Sequence, residues 1–206
     1  MRVSQRDPPD KPVPNIVQAM RAVGELLAAE GESVAIVVVG GAAMILLGNV
    51  TRLTEDVDII ATATWRKTFP ARIAPPDPLP APLLRAISKV ARDFNLPESW
   101  MNSEVGAQWE TGLPPGLEKR IRWQLFGGLA VGVADPRDLI FLKLYAAVDS
   151  EGPQSVHYQD LLALRPSEHE LAAAATWARA QDTSAEFAQM LGEVMNHVSQ
   201  DQKKPC

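Results

Sequence analysis

The stretch Val39–Asp58, VGGAAMILLGNVTRLTEDVD, opens on a glycine pair and closes on two aspartates one residue apart. It is entered from Val34–Val39, VAIVVV, a β-branched run apolar on both faces that reads as a buried central strand. Gly40-Gly41 makes a turn, and the apolar residues after it form a short helix. Thr54 to Ala61, TEDVDIIA, reads as a second strand. Its alternation puts Asp56 and Asp58 on one face and Val57 and Ile59 on the other. Carboxylates at i and i+2 of a strand stand about 6–7 Å apart and repel each other unless a cation lies between them. Mg²⁺ favours a couple of carboxylates together with water and phosphate oxygens. A strand that ends in Gly-Gly and turns into a helix exposes backbone N–H groups, and glycine lets an anion come close to them. The stretch therefore predicts one site, with metal on Asp56 and Asp58 and phosphate at Gly40 and Gly41.

The flanking chain supplies the rest of an α/β (α+β) architecture, a small mixed sheet flanked by helices with a helical segment at its C-terminal end. Asn15 caps a helix running to about Ala29, with Ile16, Met20, Val23, Leu26 and Leu27 at helical spacing. Residues 70–82, PARIAPPDPLPAP, carry six prolines and read as a surface loop. Leu83–Phe94 is an amphipathic helix, and Trp100–Trp109 is helical or irregular. Arg120–Phe126 and Leu129–Ala134, joined by Gly127-Gly128, form a hairpin. Asp135-Pro136 starts a helix, with Asp as cap and Pro at its first position. Three helical patterns follow: His157–Leu164, then Ser167–Ala180 behind a Ser-x-x-Glu capping box, then Thr183 to about Val198. The expected organisation is a loose arm over 1–14, an α/β domain over 15–150, a helical segment over 151–200 packed on it, and a loose tail over 201–206.

The order Val39-Gly40-Gly41, spacer, Asp56-Val57-Asp58-Ile59 resembles the nucleotidyltransferase superfamily signature. The string Arg52-Leu-Thr54-Glu-Asp56-Val-Asp58 is similar to that of minimal members resembling the abortive-infection toxins of the AbiEii type. The resemblance covers roughly residues 34–61 and 129–164. It implies a nucleotidyltransferase fold and Mg²⁺- (or Mn²⁺-) dependent transfer of a nucleotidyl group from an NTP to an acceptor hydroxyl. The acceptor it implies is RNA, such as a tRNA end, or protein, in a toxin–antitoxin setting with an antitoxin partner. It assigns the metal to Asp56 and Asp58 and the β- and γ-phosphates to Gly40 and Gly41. Lys143 would steady the phosphates, and Asp160 would be a third carboxylate that orients Lys143 or takes a proton. Arg52 would pair with Asp56 or a phosphate, and Thr54 would hydrogen-bond near the metals. The residues alone leave alternatives open: Lys143, among Leu139, Ile140, Leu142 and Leu144, either snorkels or meets an anion. Many proteins of the family it resembles carry a third carboxylate on the strand after the motif, yet RIRWQLF and LAVGVA contain none. Asp160 or Asp149 substitutes for it, or metal binding is weaker. The alternative function is a nucleotide- or partner-binding protein that keeps this fold without turnover.

Bulk properties narrow the field further. The chain has 206 residues and a net charge of −5, which disfavours general binding to duplex DNA. Its one cysteine is Cys206, so no intramolecular disulfide and no cysteine-built metal site is possible. The longest apolar run, Val34–Gly48, is broken by glycines and falls short of the roughly 20 residues of a spanning helix. The opening MRVSQRDPPDKPVPN lacks a signal-peptide apolar stretch, so a cytoplasmic protein with no membrane partner is expected. Arg120, Lys119 and Arg122 form a small basic cluster, either a solvated face or a contact for RNA or nucleotide. His157, His169 and His197 lack metal-ligand spacing.

Overall fold

A computed structural model describes residues 15–52, 54, 56–64, 72–150 and 152–203. The expected arm over 1–14, the start of the 70–82 loop and the end of the expected tail lie outside these residues. Helix α1 (Ile16–Ala29) begins where Asn15 accepts the Val17 N–H at 3.0 Å. Strand β1 (Val34–Val39) follows, buried on both faces as its β-branched run requires, and passes directly into α2 (Gly40–Leu46). The next strand, β2, spans Val57–Thr64. It starts three residues later than its alternation suggests. The Thr54 hydroxyl donates to Asp56 Oδ1 at 2.9 Å, a local bond that competes with strand pairing at these residues. It also runs further, because Thr62–Thr64 pair with β3 (Arg72–Ala74). The 70–82 loop is thus corrected: Arg72–Ala74, just ahead of Pro75, form a short edge strand. Pro82 then falls in the first turn of α3 (Ala81–Phe94), where its missing N–H costs nothing.

The segment 100–111 holds β4 (Met101–Asn102), a 3₁₀ turn and α4 (Gln108–Thr111). A two-residue loop, Gly127-Gly128, closes the hairpin of β5 (Arg122–Phe126) and β6 (Leu129–Val133). The six strands form one mixed sheet in the order β3-β2-β1-β6-β5, with β4 on the same edge of β2 as β3. β1 runs parallel to β6 and antiparallel to β2. Val37 pairs with Ala61 and Val38 with Ile59, so Ile60 is an extra residue, a bulge two positions beyond Asp58. The Trp109 indole N–H donates to its carbonyl at 2.6 Å, which ties the 100–111 segment to the bulge. α1 lies against the hairpin at Gly24, where a Cβ would fall 1.6 Å from the Phe126 carbonyl oxygen, so only glycine allows this approach.

Helix α5 (Pro136–Val148) is capped by Asp135, whose side chain accepts the Arg137 N–H. It serves two cores. Leu139 belongs to the sheet core with Val37, Ile59, Leu129 and Val133. Ile140, Phe141, Leu144 and Val148 belong to a second core built with α6 (Val156–Leu164), α7 (Glu168–Gln181) and α8 (Ala185–Asp201). The capping box on α7 forms as read, with Ser167 and Glu170 exchanging side-chain and backbone bonds. No helix among the described residues is long and apolar enough to cross a membrane.

Candidate active site

The β1–α2 turn brings the two ends of the opening stretch together. Gly40 has a φ of +65°, a backbone conformation glycine adopts without steric cost. A Cβ at Gly40 would lie 2.0 Å from Asp58 Oδ2, and one at Gly41 would lie 2.7 Å from Thr54 Oγ1 and 3.2 Å from Arg52 Nη2. The room that side chains at 40 and 41 would take is therefore filled by the residues around the second aspartate. This differs from the expected reason for small residues, which was the approach of phosphate. Asp58 sits opposite Val39 on β1 and Asn102 on β4. Asp56 lies just outside the strand, exposed, its Oδ1 held by Thr54.

Asp160, on α6, is 1% exposed and holds two cations. Arg52 Nε donates to its Oδ1 at 3.0 Å and Arg52 Nη2 to its Oδ2 at 2.6 Å, while Lys143 Nζ lies 2.8 Å from Oδ2. Burial works against the Asp160 charge, but the bonds from Arg52 and Lys143 outweigh it and hold the carboxyl below its usual range. Arg52 is thus paired with Asp160. An anion with both oxygens committed to cations is a poor proton acceptor, so the geometry suits orientation of Lys143 better than deprotonation.

Asp58 shows the opposite balance. Burial pushes its carboxyl up to about 6; Asp56 adds to the rise, Lys143 opposes it, and Glu104 adds again. Two hard carboxylate oxygen donors, one of them raised by its like-charged neighbour, are a donor set that a divalent cation would satisfy. Glu104 escaped sequence reading. It follows β4, a strand of two residues, too short to leave a periodic signal. β5 and β6 hold no carboxylate, and β4 is the strand that pairs with Asp58 on the edge of β2. Asp149 caps the end of α5 and lines a different cavity with Ser150 and Gln154.

A cavity of about 250 Å³ opens beside this group, with Gly40, Asp58 and Lys143 in its lining. His157 also lines it and was not singled out from sequence. Burial, and then the Lys143 charge, pull its imidazole below the ordinary value. The basic cluster is spoken for: Arg120 pairs with buried Asp138, and Arg122 with Asp135 at 2.8 Å, so two of its members fasten the hairpin to α5. Trp100 is a core residue, 1% exposed.

Residues 15–163 match a family model described as "Nucleotidyltransferase of unknown function (DUF6036)". No curated protein and no solved structure matches the chain significantly. The match spans well over half of the sequence, and the chain belongs to this family of nucleotidyltransferases.

Proposed function

We propose that this nucleotidyltransferase moves a nucleotidyl group from an NTP to an acceptor hydroxyl, with Mg²⁺ or Mn²⁺ held by Asp56 and Asp58. The observation that carries the reading is the contact of Asp58 with Gly40 in a cavity shared with Lys143. In the reaction the acceptor hydroxyl gives its proton to solvent, its oxygen bonds to the α-phosphorus, the α–β phosphoanhydride bond breaks, and pyrophosphate leaves with the electron pair. The divalent ion supplies Lewis-acid stabilisation of the phosphate charge. Lys143 offsets charge on the phosphates, and Asp160 positions it, since a buried lysine keeps its direction only against a fixed anion. Through Arg52, Asp160 also steadies the segment leading to Asp56. Gly40 and Gly41 let Asp58, Thr54 and Arg52 close against the turn, and their backbone N–H groups meet the triphosphate. The toxin-type likeness favours tRNA or protein as acceptor and a neighbouring antitoxin as partner.

The test is transfer of label from α-labelled NTPs, with Mg²⁺, to RNA or protein acceptors. Transfer is expected from the intact chain and none from Asp58→Ala, whereas labelling that survives this change removes the site assignment. A second reading, NTP binding without turnover, is favoured by the commitment of Asp160 to two cations, which leaves two aspartates near the turn. Calorimetric NTP binding with no transfer to any acceptor would support it.

A further inference from the structure

The bulge at Ile60 decides which face of the sheet carries Asp58. Cross-strand partners share a face, so the pairs Ala35–Ala63 and Val37–Ala61 fix one face of β2. Unbroken alternation from Ala61 would put Asp58 on the opposite face, with Ile60 and Thr62. That face lies under α1. Val34, Leu129 and Phe126 are paired in a row across it, and Arg21 of α1 stands 5.6 Å over the Phe126 ring. The extra residue shifts the register, and Asp58 pairs with Val39 instead. Val39 shares the face of Val37 and lines the cavity together with Asp58, Gly40 and Ile60. One residue inserted in β2 thus moves the carboxylate from the α1 side to the cavity side.

A bulge needs support, because its extra residue falls out of the ladder. Ile60 is fully buried, and its carbonyl accepts from Trp109 Nε1 at 2.6 Å. A buried carbonyl without a donor is costly, so this bond favours the bulged register. Trp109 belongs to α4 and is partly buried against the sheet core. The 3₁₀ turn before it and α4 itself also place Val105, Ala107 and Gln108 in the cavity lining. The same indole therefore sets a cavity wall against the strand that carries Asp58.

We propose that Trp109 is a positioning residue for nucleotidyl transfer, its indole N–H locking the Ile60 bulge and so holding Asp58 on the cavity face. The inference rests on the transfer reading, with Asp58 as a metal-bearing carboxylate. Trp109 acts through the backbone of β2 and not by contact with nucleotide or metal.

The experiment removes the N–H and then puts it back. Trp109→Phe keeps an aromatic ring without a donor. Trp109→His is smaller, yet its Nε2 stands as many bonds from Cβ as the indole nitrogen and can carry the proton. The full chain is assayed for transfer from α-labelled NTPs with Mn²⁺, and Mn²⁺ binding is measured by calorimetry. Trp109→Phe should lower kcat and Mn²⁺ affinity about tenfold or more, with the KM for NTP held within about twofold. Trp109→His should regain most of both losses. A role in packing alone gives the reverse order, with the smaller His below Phe. That order, or wild-type turnover in a folded Trp109→Phe, overturns the lock and leaves the transfer reading standing. A wild type that binds Mn²⁺ but transfers nothing removes the transfer reading, and with it a role for Trp109 in transfer. The order of Mn²⁺ affinities then upholds or overturns the lock on Asp58 by itself. Binding of no Mn²⁺ overturns both. Should circular dichroism show that Trp109→Phe does not fold, Trp109→Met, which also lacks the donor, carries the same expectation.

Discussion

Asp58 is the residue at which stability and the proposed function pull apart. Its carboxyl stands at about 6 against an ordinary 3.8, because burial and then Asp56 disfavour the charge. A raised folded value means that the native state binds this proton more tightly than the unfolded chain does. With no divalent ion added, Asp58 therefore costs nothing below pH 3.8, costs progressively more up to about 6, and costs a constant amount above it. Asp58→Asn removes that cost. Discounted for partial exposure, the gain at pH 7.5 is about 1–2 kcal/mol, or about 3–6 °C in Tm. Thermal melts of both proteins between pH 3.5 and 8 in EDTA should show the gap opening through pH 4–6 and then holding level. A gap independent of pH would show that the Asp58 charge is not strained. The spacing of Asp56 and Asp58 was legible in the sequence, but β2 begins only at Val57, so Asp56 is not held by the strand's alternation. Glu104 was not legible, because it opens a 3₁₀ turn behind a two-residue strand, where no spacing marks it.

At the scale of elements, Asp160 is a staple between α6 and the segment that leads into β2. Sequence placed a carboxylate on α6 and a lysine on α5, since both lie in clear helical patterns. It did not show that Arg52, 108 positions away, shares the same anion, because such a contact depends on how α6 docks. The staple makes a specific demand. Asp160→Asn keeps the shape and removes the charge, leaving buried Lys143 without its counter-ion. Losing one member of a buried pair costs about 3–5 kcal/mol, reduced here to about 2–3 kcal/mol because Arg52 is partly exposed. Amide exchange should quicken at Asn49–Arg52, and Lys143→Met added to Asp160→Asn should restore part of the lost Tm. The folded Asp160 carboxyl lies below its ordinary value, so its contribution is complete above pH 3.8 and disappears as pH falls through the lower folded value. The wild type and the variant should therefore converge only in strong acid. An unchanged Tm with unchanged exchange would mean that α6 and the loop dock without this anion.

For the whole molecule, the question is what the last two helices do. The family match ends at residue 163, inside α6, while α7 and α8 lie beyond it. The order of an α/β part followed by helices was readable from the change in hydrophobic period. The sharing of α5 between two cores was not, because a helix apolar around its circumference does not declare which face meets which partner. Here Leu139 faces the sheet, and Phe141, Leu144 and Val148 face α6, α7 and α8. Trp177 rests against Phe141 and Tyr145, with ring centroids 5.8 and 5.9 Å away, and Phe187 lies 5.5 Å from Tyr145. Because Tyr145 also lines the cavity, these aromatic contacts fix one wall of the candidate active site. Each large apolar side chain stripped of its cover forfeits about 1.5–3 kcal/mol, and α5 and α6 present several. That sum exceeds the reserve of an ordinary domain, about 5–15 kcal/mol. A chain ending at Arg165 should therefore not persist as a folded monomer, although it retains every residue of the family match. It should bind a hydrophobic dye, lose its near-ultraviolet dichroism and aggregate, and α7–α8 supplied as a separate peptide should restore a cooperative melt. A soluble, monomeric 1–165 chain melting within a few degrees of the intact protein would show that the sheet core and α5 stand without α7 and α8, and that the cavity wall at Tyr145 needs no outer support.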